Sequence, residues 1–198
     1  MDLRVFQFTP ATRAEGPGLR ACIQVQGCPI QCPGCAVPQT WSKHGGQTLD
    51  TQDLFAQIVN GPPLEGVTFL GGEPFAQAAA LAEIARQVKA HGMTVLTLTG
   101  YLLEDLKMAN RVDFDELLAA TDLLIDGPFQ REHVQFTRPW VGSSNQRFHF
   151  LSDRYVRLAP MLSSIPNRVE VRLNPDGRIL VSGLAPISDM KWLAGDVD

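Results

Sequence analysis

All four cysteines, Cys22, Cys28, Cys32 and Cys35, lie within residues 22–35, and none follows. A disulfide framework would be spread along a secreted chain, whereas cysteines bunched in this way point to a metal or to redox chemistry. Three of them form the string Gly27-Cys28-Pro29-Ile30-Gln31-Cys32-Pro33-Gly34-Cys35, with C-x3-C-x2-C spacing. Thiolates are soft ligands that suit iron–sulfur clusters and zinc. Three of them, close in sequence, can wrap three corners of a [4Fe–4S] cubane. One iron then stays open to an exogenous ligand, which separates a catalytic cluster from a closed electron carrier. The same spacing is compatible with a structural Cys3His zinc site completed by His44, and Cys22 is a fourth thiol nearby. Cys22 falls on a predicted strand, where free cysteine commonly acts as a small buried apolar residue.

The elements around these residues alternate between strand and helix. Arg4–Thr9 and Ala21–Gln26 read as strands, the second running straight into the cysteine string. Asp50 or Thr51 caps a helix over about Gln52–Val59, which Asn60-Gly61-Pro62-Pro63 stops. Gly66–Leu70 is a short apolar strand leading into Gly71-Gly72-Glu73-Pro74. A helix over about Ala76–Ala90 keeps Leu81, Ile84, Ala85 and Val88 at helical spacing. Thr94–Leu98 is the next strand, closed by Thr99-Gly100-Tyr101, and a helical stretch near Phe114–Ala120 leads to the strand Leu123–Ile125 and then Asp126-Gly127-Pro128-Phe129. This alternation predicts right-handed βαβ units and a parallel sheet, with the functional loops at the carboxyl ends of the strands. Beyond about residue 150, Arg168–Leu173, Asn174-Pro175-Asp176-Gly177 and Arg178–Gly183 read as strand, turn, strand, that is, a β-hairpin.

With 198 residues and 44% hydrophobic content, the chain is long enough for one domain with an appendage and can bury a real core. A formal net charge of −4 argues against a nucleic-acid or membrane-surface protein, both of which favour a basic face. The N-terminal residues lack the pattern of a signal peptide, and no run approaches the roughly 20 apolar residues of a membrane span. A cytoplasmic protein is expected.

C-x3-C-x2-C followed by a strand and Gly-Gly-Glu-Pro resembles the signature of the radical S-adenosylmethionine superfamily. Gly27–Cys35 with Trp41, Gly71–Pro74, Thr99-Gly100-Tyr101, Asp126–Phe129 and Trp140-Val141-Gly142-Ser143-Ser144-Asn145-Gln146 occur in this order. Over residues 1–151 they resemble the anaerobic ribonucleotide reductase activases and related glycyl-radical-enzyme activases. The resemblance implies a partial (β/α)6 barrel of parallel strands over 1–151, with residues 152–198 as an extension carrying the hairpin. It implies a [4Fe–4S] cluster on Cys28, Cys32 and Cys35, with S-adenosylmethionine chelated at the open iron. Gly71, Gly72, Glu73 and Pro74 would hold the cofactor, Glu73 by accepting a hydrogen bond from the methionine ammonium. Thr99, Asp126, Ser143 and Asn145 are further candidate cofactor contacts, and Arg131, Arg138 and Arg147 are candidates for partner or carboxylate contacts. No catalytic side chain beyond the cluster ligands is implied.

Two departures stand out. Gly34 occupies the place before the third cysteine where many superfamily members carry an aromatic residue, a glycine the resembled activases share. Pyruvate formate-lyase activases have an acidic residue at the position aligned with Thr97, where it helps bind a monovalent cation, which leaves Asp126 as the remaining contributor here. The implied reaction is reductive cleavage of S-adenosylmethionine, using an electron from a flavodoxin- or ferredoxin-like donor, to form a glycyl radical on a partner enzyme. A stand-alone radical enzyme acting on a peptide or small metabolite is the alternative. A non-catalytic zinc- or cluster-binding module is the alternative from another class.

Overall fold

The computed structural model describes residues 1–173, 177 and 179–185. Nine strands are described: β1 (Asp2–Thr12), β2 (Arg20–Val25), β3 (Gln47–Asp50), β4 (Gly66–Gly71), β5 (Thr94–Leu98), β6 (Leu123–Asp126), β7 (Arg147–Phe150), β8 (Val169–Leu173) and β9 (Ile179–Gly183). Four α-helices join them: α1 (Thr51–Val59), α2 (Ala78–Ala90), α3 (Leu103–Met108) and α4 (Val112–Ala120). The first seven strands form one sheet in the order β3-β1-β2-β4-β5-β6-β7. Its centre, β2-β4-β5-β6, is parallel throughout, and the flanking pairs β1–β2, β1–β3 and β6–β7 are antiparallel.

Period-two alternation divides the apolar residues between two cores. Val95 and Leu124 join Leu54, Ile58, Leu81, Ile84, Val88 and Leu117 of α1, α2 and α4 in one cluster. Their strand neighbours Leu96, Leu123 and Ile125 join Trp140, Val141 and Tyr155 in the other. With both faces covered, the parallel strands read as continuous apolar runs. Leu158, Leu162 and Ile165, in or just after a 3-10 segment over Val156–Ser164, pack on the second cluster. The extension is therefore fastened to the sheet well before the hairpin.

Asp50 is the N-cap of α1, its carboxylate accepting from the N–H groups of Gln52 and Asp53. The expected helix from about Ala76 begins as a 3-10 turn over Pro74–Gln77, with α2 starting at Ala78. The edge strands β3 and β7, the short helix α3 and the 3-10 segment go beyond the sequence reading.

β8 and β9 pair antiparallel as the expected hairpin strands. Of the predicted turn, Asn174, Pro175 and Asp176 lie outside the described residues, as does Arg178. The hairpin docks through its polar face. Glu170 accepts from the Thr12 hydroxyl at 2.7 Å and the Arg13 N–H at 2.8 Å, and Gly183 N–H donates to Glu15 at 2.6 Å. Among the described residues, no helix is long and apolar enough to cross a membrane.

Candidate functional site

The parallel strands end on one edge of the sheet, and the cysteine loop is pinned there by backbone contacts. Gly27, two residues beyond the end of β2, donates its N–H to Thr40 O at 2.7 Å, and Cys28 N–H donates to Trp41 O at 3.1 Å. Gly27 O in turn accepts from Glu73 N–H at 2.9 Å, and Gly72 N–H reaches Val25 O at 2.8 Å. The end of β4 thus clamps the root of the cysteine loop.

Gly71 and Gly72 are required by that clamp. A Cβ at Gly72 would lie 2.4 Å from Gly27 O, and one at Gly71 would lie 2.7 Å from Val25 N. At both positions the glycine lets the chain approach itself closely. Gly34 has φ +80° beside Phe129 and Arg131, a backbone that an aromatic side chain would adopt only under strain.

All three loop thiols are partly exposed and unpaired. Burial pushes the Cys28 and Cys32 thiols up, against the lowering effect of backbone N–H groups: Gln31 and Ile30 at Cys28, Phe129 at Cys32. Cys35 raises both further, and Cys28 also acts on Cys32, so the three thiols share one electrostatic neighbourhood. Metal binding here would release protons. Cys22 is 1% exposed on β2, in register between Thr9 and Thr68, and cannot reach the loop. His44 sits exposed, its N–H on the Ser42 hydroxyl. Among the described residues, no three of His, Cys, Asp and Glu gather tightly enough for a single metal ion. Three thiols along one loop are a donor set that fits a cubane, which distributes its thiolates over separate irons. Gln26, Trp41 and Asn145 each carry a buried polar atom without a partner: Oε1, Nε1 and Oδ1. Gln135 Nε2 and His149 Nε2 are likewise unpaired, and buried polar atoms of this kind are uncommon in proteins.

Glu73 is fully buried. Its carboxylate accepts from Phe75 N–H at 2.9 Å, the Thr99 hydroxyl at 2.8 Å and Gly100 N–H at 2.9 Å. Burial raises its pKa to about 7, against the lowering effect of those three donors. Glu73 therefore ties the end of β4 to the end of β5, with Thr99 as its partner, rather than presenting a free carboxylate to an ammonium. Pro74, also buried, starts the 3-10 turn behind it.

Asp126 differs from expectation in the same way. It is fully buried and accepts from Arg147 Nε at 2.9 Å and Leu103 N–H at 2.8 Å. His149 Nε2 lies 2.9 Å away, off the line of a hydrogen bond. Burial pushes the Asp126 pKa up, and the Arg147 and Leu103 hydrogen bonds with the His149 contact outweigh that, leaving it lowered. Thr97 is buried with its hydroxyl 2.9 Å from that of Thr121, and Arg147 forms an ion pair with Asp126.

Ser143 is fully buried, and its hydroxyl accepts from Gln130 N–H, which shapes a loop. Asn145 donates to Pro128 O at 2.8 Å, beside the Phe129 backbone that faces Cys32, and keeps its carbonyl oxygen unpaired. Arg138 is spent on the carbonyls of Ser143, Ser144 and Gln146, and Arg147 bridges Asp126 and Glu104. Arg131 remains exposed.

Sequence reading passes over Gln26. Its side chain donates to Gln39 O at 2.9 Å and Ser42 O at 2.7 Å and so closes the loop's return. The available signal was a glutamine ending an apolar strand immediately before the cysteine string.

Residues 14–149 match the family described as "4Fe-4S single cluster domain". The anaerobic ribonucleoside-triphosphate reductase-activating protein of Escherichia coli K12 is 29% identical over 154 residues, 73% of this chain and 97% of that protein. Its namesake from Vibrio cholerae is 30% identical over 151 residues, 72% of this chain and 95% of that one. The pyruvate formate-lyase-activating enzyme of Clostridium pasteurianum is 32% identical over 128 residues, 62% of this chain and 50% of that enzyme. The chain thus belongs to the 4Fe-4S single cluster domain family, alongside the anaerobic ribonucleoside-triphosphate reductase-activating proteins.

Proposed function

We propose that this chain is a radical S-adenosylmethionine activase that forms a glycyl radical on a partner enzyme, in the manner of an anaerobic ribonucleotide reductase activase. One observation carries the reading: three thiols share the carboxyl edge of the parallel strands while the fourth, Cys22, is sealed inside the sheet. Cys28, Cys32 and Cys35 would hold a cubane with three thiolates, which would leave a place on it for S-adenosylmethionine. When bound, these cofactors supply a one-electron cleavage of the sulfonium to methionine and a 5′-deoxyadenosyl radical, which takes hydrogen from a glycine Cα.

The chain's own part is to hold and orient. Glu73, Thr99 and Gly100 lock the neighbouring strand ends, Gly71 and Gly72 bring them against the loop, and backbone N–H groups face the sulfurs. Asn145 Oδ1 is the acceptor left for the cofactor. The four central parallel strands correspond to part of a partial (β/α)6 barrel, with 1–151 as the catalytic unit and 152–198 as its extension. A flavodoxin- or ferredoxin-like donor supplies the electron, and free thiols with an oxygen-sensitive cofactor suit the cytoplasm.

The test is anaerobic reconstitution with iron and sulfide, followed by reduction in the presence of S-adenosylmethionine. The expected result is 5′-deoxyadenosine. With an anaerobic reductase added, a glycyl-radical doublet should appear in the paramagnetic resonance spectrum, and oxygen should cleave the reductase at one glycine. Colourless protein loaded with zinc, with no 5′-deoxyadenosine, would sink the reading.

A further inference from the structure

The cysteine loop is uncharged in a chain that is acidic overall. Residues 21–42 carry no charged side chain, and no aspartate or glutamate occurs between Glu15 and Asp50, although the formal net charge is −4. The loop is also an outer surface: Pro29, Pro33, Gly34 and Ala36 are exposed beside the partly exposed thiols. Two cations flank it. A Cβ built on Gly27, next to Cys28, would lie 3.6 Å from Lys43 Cγ, and one built on Gly34, next to Cys35, would lie 3.4 Å from Arg131 Cδ. Both side chains are exposed, and among the described residues neither makes an ion pair, Arg131 not even with its exposed neighbour Glu132. Solvated cations alone imply no partner. These two stand at opposite ends of an uncharged, exposed loop that carries three thiols.

We propose that this face, the cysteine loop with Lys43 and Arg131 on its rim, docks an acidic one-electron donor protein. This rests on the cluster reading above and adds the surface through which the electron arrives. An uncharged centre is desolvated at little cost, and rim charges steer the encounter and set its rate. Electron-transfer encounters are brief and need only a small interface. Transfer weakens steeply with distance, so the donor must meet the chain where the thiol loop is itself the surface. One electron leaves the donor and enters the cluster, and no bond or proton moves. Lys43 and Arg131 touch no reacting atom; they are docking residues.

The experiment uses the anaerobically reconstituted full chain and its Lys43→Glu/Arg131→Glu double variant at matched iron content, with reduced flavodoxin as the acidic donor and dithionite as the control. With dithionite the two should form 5′-deoxyadenosine equally fast. With flavodoxin the variant's cluster should be reduced about tenfold more slowly at low salt, followed by stopped-flow absorbance, and the gap should close as salt rises. Carbodiimide, which couples an amine to a carboxylate, should join Lys43 of the wild type to flavodoxin, a link that mass spectrometry reads even if the variant loads poorly. Equal flavodoxin rates, no reduction of the wild type by flavodoxin, no Lys43 link, or a loss shared by both reductants would overturn the proposal and leave the proposed function intact. A variant impaired only in radical transfer to the reductase would also overturn it and give the face to that enzyme. Failure of the loaded wild type to form 5′-deoxyadenosine with dithionite would instead defeat the reading on which it rests.

Discussion

The two ends of the parallel strands each hold a fully buried charged side chain without a counter-ion bonded to it, and they use it differently. At the amino ends, the Arg20 guanidinium donates to the hydroxyls of Thr68 at 2.9 Å, Thr94 at 3.0 Å and Tyr155 at 2.8 Å, and to Val67 O at 2.7 Å. It thereby binds the starts of β2, β4 and β5 to the chain beyond residue 151. The guanidinium itself is fully buried, and a pocket lined by Gly16, Pro17, Gly18, Trp140 and Ile165 lies beside it. At the carboxyl ends, Glu73 fastens β4 to β5 with equal economy, but the loop in front of it keeps three thiols partly exposed and several polar atoms unpaired. A satisfied network gives rigidity, and an unsatisfied one leaves capacity for a ligand. One edge is built for stability and the other for chemistry.

That division is open to direct attack. The largest effect is expected from Cys32→Ala, which removes one of the three proposed ligands. Cluster content should collapse and 5′-deoxyadenosine formation should fall below detection, while the melting temperature of the apoprotein stays within about 2 °C of wild type, since a partly exposed side chain is trimmed. Arg20→Met should do the reverse. It leaves a buried carbonyl and three hydroxyls short of a donor, costing about 3–4 kcal/mol, which lowers the melting temperature by roughly 10 °C. The folded fraction should still load iron as the wild type does. If Arg20→Met abolished loading at temperatures where it remains folded, the two edges would not be separable.

The next effect concerns pH. Glu73 has a folded-state pKa of about 7 against an ordinary 4.5. Between those values the unfolded chain has lost the proton that the folded chain keeps. The Glu73 contribution to apoprotein stability should therefore fall as pH rises through this window and level off above about pH 7. The span is on the order of 3 kcal/mol. Denaturant titrations of wild type and Glu73→Gln across this range isolate it, because the variant should lack that share of the slope. A smaller effect is expected from Gly72→Ala. The new methyl would press on Gly27 O, costing about 2 kcal/mol as an overpacked contact. Because that contact is the root of the cysteine loop, iron loading should suffer more than the melting temperature suggests. Equal loading would show that the loop does not depend on the end of β4.

The parts of the fold readable from the chain were those with strong local patterns. Asp50 caps α1 because its carboxylate meets N–H groups two and three residues on, and the apolar runs of β4, β5 and β6 announce strands buried on both faces. The edge strands β3 and β7 and the short helix α3 carry weak periodicity, and tertiary pairing decides them. The site divides in the same way. The three ligand cysteines stand out because a cluster needs thiols close along the chain. The roles of Glu73, Thr99, Asp126 and Ser143 did not, because each is set by a partner at least 13 residues away.

By itself, the sequence determined the grouping of three thiols on one loop and the βαβ framework, since both are written in spacings of a few residues. The tertiary structure alone decided that Cys22 is out of reach, that Glu73 and Asp126 already have their partners, and that a tryptophan N–H is left without an acceptor. Those outcomes depend on which strand ends meet, and desolvation at those meetings determines whether a polar group is satisfied or left available.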